Sequence, residues 1–232
     1  MARWYERAVL NARKCPKAQE HHNSTDDLFA AGMTKPNGKT FCECINVYDC
    51  SKVSDGASAV IFASEEGLKK LGVDKKDAVE LVGFGQVVAD ISKDPEAQTR
   101  LTTSARAVKQ AMEMARVTPS DIGMLEVHDC FTIGGLLSLE AAGFCKYGEA
   151  YDFVREGKTA PGGAIPTNLS GGLVGYGHYT GGTGVRQAAD IAMQLTGKPD
   201  GQKIDIGKPY GLMISMGGND RTVVSCVFRR VQ

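Results

Sequence analysis

The sequence predicts an α/β protein built on a mixed sheet with helices on both faces. Three observations lead there. Valine- and isoleucine-rich runs alternate with helix-period apolar stripes in the order β-α-β-α-α-β-β. Gly217-Gly218-Asn219-Asp220 separates two such runs and signals a hairpin. A run ending at Val127 passes directly into His128-Asp129-Cys130-Phe131 and then a helix, and strand ends of open α/β sheets are where reactive groups collect.

Each element has its own local reason. Residues 2–15 place Trp4, Tyr5, Ala8, Val9 and Ala12 on one helical stripe, closed by Pro16. His21 and His22 follow in a polar patch; adjacent side chains point apart on a helix, so both are expected in solvent. Pro36-Asn37-Gly38 marks a loop. Residues 54–64 enter through an Asp-Gly turn and predict a buried strand, after which Ser64 caps a short helix ending near Gly72. Residues 78–89 predict a long strand kinked at Gly83 and Gly85. Ala105, Val108, Ala111, Met112 and Ala115 share one face of a helix over 101–115. A turn at Pro119 leads into a strand over 124–127, and a helix over 133–144 follows. Residues 145–167 read as connection, 181–195 as a helix, 197–207 as a loop, and 210–216 with 222–229 as the hairpin strands.

Composition narrows the class. Lys plus Arg and Asp plus Glu both number 27, so no overall field draws nucleic acid or an anionic membrane. No run approaches the roughly 18 apolar residues of a membrane span. The amino terminus lacks the pattern of a secretory signal, and the last four residues are not a peroxisomal address. The seven cysteines are odd in number and irregular in spacing, which argues for a reducing, intracellular setting. Cys42, Cys44 and Cys50 lack paired metal-ligand spacing; no metal site is expected, and they are predicted to be buried free thiols.

Two motifs carry chemistry. His128 sits two residues from Cys130, a pairing suited to proton transfer at a thioester, although a buried thiol beside a structural histidine would look the same. From Gly171 to Gly184 there are seven glycines in 14 residues, enclosing Tyr176 and His178. Such density lets a ligand approach the backbone, and the helix that follows favours a negative or polar ligand group at its start. No Lys-Ser/Thr follows, so a nucleotide-phosphate loop is not expected.

Taken together these blocks resemble the thiolase family. Ser54-Asp55-Gly56-Ala57-Ser58-Ala59-Val60 is similar to its Ser-Asp-Gly-Ala element, and His128-Asp129-Cys130-Phe131 to the His-Asp-Cys-Phe block of the sterol-carrier-protein type. Asn168 to Gly172, Gly177-His178 and Gly182-Thr183-Gly184 resemble the Asn-x-Ser-Gly-Gly, Gly-His-Pro and Gly-Ala-Thr-Gly elements, with Tyr179 in place of the proline. The resemblance implies a thiolase-like layered fold. It implies that residues 76–232 form the carboxyl-terminal domain and residues 1–75 a remnant of the loop domain and the end of the amino-terminal domain.

It also implies roles. His128 and His178 would hold the thioester carbonyl oxygen, with Cys130 as acid/base. Phe131 would line the acyl pocket and Ser51 would contact pantetheine. Gly217 would offer a backbone donor to a second oxyanion hole. Coenzyme A would be a substrate, with no resident cofactor. The family's acyl-accepting cysteine lies in a Cys-x-Ser block, and none of the seven cysteines here has that context. The expected function is therefore part of an acyltransferase acting on 3-ketoacyl-coenzyme A or acetyl-coenzyme A, inactive alone. The alternatives are a non-catalytic acyl-coenzyme A or lipid-binding or assembly subunit, paired with itself or with an amino-terminal half, and a bare fragment. Family resemblance suggests a mitochondrial or peroxisome-like compartment.

Overall fold

The structure, a computed structural model, describes residues 1–39 and 42–231. Gln232, part of the carboxyl-terminal segment considered above for a targeting address, lies outside the described residues. The helices are α1 (Ala2–Ala12), α2 (Leu28–Gly32), α3 (Glu65–Leu71), α4 (Thr102–Ala115), α5 (Thr132–Ala141), α6 (Ala150–Arg155), α7 (Gly172–Gly175) and α8 (Thr183–Leu195). The strands are β1 (Val79–Val88), β2 (Ile122–Glu126), β3 (Tyr210–Gly217) and β4 (Thr222–Arg230).

Among the described residues the strands form one sheet in the order β1-β4-β3-β2. The β2–β3 pair is parallel and the other two are antiparallel, so the sheet is mixed as expected. Strand alternation sends neighbouring side chains to opposite faces. Leu212, Ile214, Val223 and Val227 pack with Ala107, Val108, Ala111 and Met112 of α4. Met213 and Phe228 pack on the other side with Ile191 and Leu195 of α8. Each fully buried leucine or isoleucine side chain contributes roughly 1.5–3 kcal/mol. Two helical layers thus cover the two faces.

Close approach on the α4 side depends on missing side chains. A Cβ on Gly83 or Gly85 of β1 would stand 2.1 Å from the carbonyl oxygen of Ala111 or Ala107, respectively. The register shift between Leu81 and Gly83 is the kink predicted for this strand. At the far end of the sheet, the β3–β4 turn puts Gly218, Asn219 and Asp220 at positive φ. Asp220 is held there by function as a cap: its carboxylate accepts the N–H groups of Thr103 and Ser104, both at 2.9 Å, at the start of α4.

Four expectations need correction. Residues 54–64 form no strand; Ile61 and Phe62 are 86% and 73% exposed. The run has strand propensity, but among the described residues no strand pairs with it, and that propensity has value only on a paired, half-buried surface. Residues 145–167 contain α6, whose Ala150 and Val154, one helical turn apart, are buried. Cys42 and Cys44 are exposed and Cys50 half-buried; the thiols are free but not in the core. His21 and His22 do not point apart: they sit in a turn with ring centroids 4.6 Å apart, and His21 is half-buried.

Candidate functional site

The site is assembled at the carboxyl end of β2. Asn168, at φ +49°, clamps this end: its side chain accepts the N–H of Val127 at 2.8 Å and its own N–H donates to the carbonyl of Leu125 at 2.9 Å. Asp129 is fully buried. Its carboxylate accepts the indole N–H of Trp4 at 2.8 Å and the N–H of Leu173 at 2.6 Å. One carboxylate therefore ties the β2 loop to α1 and to the glycine loop, and the two residues flanking it, His128 and Cys130, are held in place.

His128 and His178 meet edge to face with ring centroids 5.0 Å apart and planes at 87°. His178 Nδ1 is 2.8 Å from Thr183 Oγ1, in the first turn of α8. Thr183 Oγ1 also stands 3.2 Å from the carbonyl of Tyr179. The tautomer decides which atom of the His178–Thr183 pair donates; with the ring proton on Nε2, the Nδ1 accepts the Thr183 hydroxyl and Nε2–H is left to donate. The backbone N–H of His178 donates to Ser54 Oγ at 3.0 Å.

The segment after Cys50 stitches both loops together. Cys50 bridges Phe131, the N–H of Ser51 donates to the carbonyl of Cys130 at 2.8 Å, and Val53 bridges His178. The backbones carrying Ser51, Cys130, Phe131 and His178 are thus brought together, His128 joins them through its ring contact with His178, and Phe131 is exposed. Gly217 is exposed at the end of β3. Two residues before it, Ser215 Oγ lies 3.0 Å from where a Cβ on Gly184 of α8 would stand.

Burial decides the protonation states. His128 is 6% exposed, and burial, His178 and Arg186 push its imidazole down to about 4. His178 is lowered as well, by burial and by Arg186. Burial first, and the Asp129 carboxylate second, raise the Cys130 thiol to about 11. At neutral pH the site therefore holds two neutral imidazoles and a thiol. Beneath them Arg186 is buried, donating to Ser170 Oγ at 2.8 Å and pairing with Asp190. Glu126, also buried, has its carboxyl pushed well above the usual range by desolvation.

Neutral His128 has a consequence for stability. Its folded value lies below the ordinary 6.5, so between those two values the unfolded chain binds a proton that the folded chain does not. Stability contributed by this group is present above pH 6.5 and is lost as pH falls toward 4. Between pH 7 and pH 5 the loss is about 2 kcal/mol. Urea melts at the two pH values, compared with His128→Asn, check it; an equal pH slope in the variant refutes the assignment.

Sequence reasoning passed over Asp129 as a contact residue, Thr183, and the clamp role of Asn168. An asparagine heading a glycine cluster is a signal for a left-handed residue. Nothing local shows that Asp129 would meet Trp4, 125 residues away. Among the described residues no group of three His, Cys, Asp or Glu could hold a metal ion, and no helix is long and apolar enough to cross a membrane.

A mixed sheet between helical layers, with paired histidines at a strand end and a glycine loop, defines a thiolase-like fold. Residues 85–230 match the Thiolase C-terminal domain-like family, and the chain belongs to it. It is 34% identical over 195 residues to the acetyl-CoA acetyltransferase of Methanothermobacter thermautotrophicus, covering 84% of this chain and 50% of that protein. It is 35% identical over 186 residues to sterol carrier protein 2 of Oryctolagus cuniculus, covering 78% and 34%. Among solved structures, a chain of the Ltp2-ChsH2(DUF35) aldolase shares the fold with a TM-score of 0.82 at 22% identity, covering 99% of this chain and 57% of that one. The chain spans about half or less of the length of these curated relatives.

Proposed function

We propose that the chain is the carboxyl-terminal part of a thiolase-like acyltransferase acting on 3-ketoacyl-coenzyme A or acetyl-coenzyme A. The observation that carries this reading is the edge-to-face contact of two neutral imidazoles on the loop-and-turn framework that also holds Cys130. His128 and His178 bind the thioester carbonyl oxygen. A thiol near 11 is a poor nucleophile at neutral pH but a competent proton donor, which suits Cys130 to protonating the enolate released when the carbon–carbon bond breaks. A cysteine supplied by a Cys-x-Ser element adds to the ketone carbon first, so that it holds the acyl group when the carbon–carbon bond breaks, and the acyl group then passes from that sulfur to coenzyme A, a substrate. Phe131 lines the acyl pocket, Ser51 faces pantetheine and the Gly217 N–H serves a second oxyanion hole. In this reading residues 76–232 are the carboxyl-terminal domain and residues 1–75 a remnant of the preceding domains. A mitochondrial or peroxisome-like compartment belongs to the same proposal.

The 232-residue chain alone is expected to show no thiolysis, and acetyl-coenzyme A is expected to leave Cys130 unacetylated by mass spectrometry. Efficient, specific acetylation of Cys130 would overturn its role as the proton donor.

A second reading, an assembly or acyl-binding subunit, is favoured by exposed apolar side chains on the irregular run and on β1. Ile61, Phe62, Phe84 and Val88 are 86%, 73%, 53% and 64% exposed. A thiolase amino-terminal half bearing Cys-x-Ser would cover them and complete the site. Mixing the two should give a stable complex with thiolysis; a complex that binds acyl-coenzyme A without turnover supports the subunit reading, and self-association at the same face supports a homodimer.

A further inference from the structure

From residue 55 to residue 63 the chain forms neither helix nor strand, and it sets out from the residue that receives the backbone N–H of His178. Just before it, Ser54 receives the N–H of His178 and donates to Gln19 Oε1 at 2.8 Å. Beyond Ser54, among the described residues, the side chain of Tyr179 holds the segment. The ring of Tyr179 lies between two glycines: a Cβ on Gly56 would come within 2.8 Å of ring atom Cδ1, and one on Gly182 within 2.4 Å of Cε2. The phenol oxygen is 2.7 Å from Ser58 Oγ.

We propose that Tyr179 is a positioning residue that pins residues 54–58 against the glycine loop and so fixes one wall of the His128–His178 site. A residue with a Cβ at either glycine would push the ring out, and a side chain without the phenol would leave Ser58 untied. The proline that the resembled pattern carries at this position has neither the ring's reach nor the hydroxyl. Tyr179 touches the wall of the site and not the reacting atoms, so its effect is on where the wall stands. This inference does not depend on which reaction the site performs.

The test is backbone nitrogen relaxation on the full chain, because segment rigidity is what the proposal concerns. Rigid backbone gives order parameters near about 0.85 and flexible backbone below about 0.6. Residues 54–58 should be near the rigid value in the unaltered chain and below about 0.6 in Tyr179→Ala. Tyr179→Phe and Ser58→Ala remove the same hydrogen bond and should give matching, intermediate losses. Gly181→Ala is the control, since a Cβ there meets nothing within 4 Å. The imidazole titration of His178 provides a second readout: uncovering its ring in Tyr179→Ala should raise a pKa that burial now lowers. Flexible residues 54–58 in the unaltered chain, or unchanged order parameters in Tyr179→Ala, overturn the proposal. If Tyr179→Ala also loosens α4 and the β3–β4 hairpin, the other two variants decide: matched loosening at 54–58 supports it, and no change in either refutes it.

Discussion

Asp129→Ala should lower stability by about 4 kcal/mol. The carboxylate accepts the Trp4 indole N–H and the Leu173 amide from a site with no exposure to water. Removing it leaves two buried donors without partners, each costing roughly 1–3 kcal/mol. Asp129→Asn separates charge from geometry. Its single amide oxygen serves one donor while its NH2 group faces the other, so a loss of about half is expected. The contact between the His128 and His178 rings should weaken in parallel, because the residue between His128 and Cys130 is what anchors their loop. Urea denaturation gives the stability change and ring-to-ring NMR contacts give the geometry. A loss under about 1 kcal/mol for the alanine variant would show that water reaches these donors.

Gly85→Ala should cost about 3 kcal/mol or more, although it adds one methyl group. That methyl would stand 2.1 Å from the Ala107 carbonyl oxygen; the backbone fixes the one and is the other, so β1 and α4 must separate to admit it. Separation would open the apolar layer that includes Val87, Ala107, Ala111 and Val227. Gly162→Ala is the matched control: no atom lies within 4 Å of its Cβ position and its φ is not positive, so a change below about 0.5 kcal/mol is expected. Thermal melts of the two variants make the comparison. Equal melting temperatures would mean that β1 does not lie on α4 at this distance.

Much of the fold was legible because its signals are local. Ser64 caps α3 by accepting the N–H of Gly67, and Gly72 ends the helix at φ +66°. Both follow from residue type and spacing. The stripe on α4 and the hairpin turn were equally readable. Residues 54–64 misled for a physical reason: Val60, Ile61 and Phe62 have the composition of a buried strand, but among the described residues no strand pairs with them. The six residues of α6 are too few for a periodic signal. Both candidate histidines were visible as residues beside sharp turns. Their contact with one another, across 50 positions, was not.

The amino-acid sequence by itself determined the capped helix ends, the hairpin turn and which side chains are available for chemistry, though not the state of residues 54–64 or the presence of α6. Propensity, capping and glycine placement act within a few residues of the chain. Only the tertiary structure decided the state of those side chains. The neutrality of His128, the elevated thiol of Cys130, the double duty of Asp129 and the wedging of Tyr179 between Gly56 and Gly182 all arise from removal of water or from contact between distant segments. Desolvation and close contact depend on what surrounds a group in space, and that surrounding is fixed only when the sheet and its helices have come together.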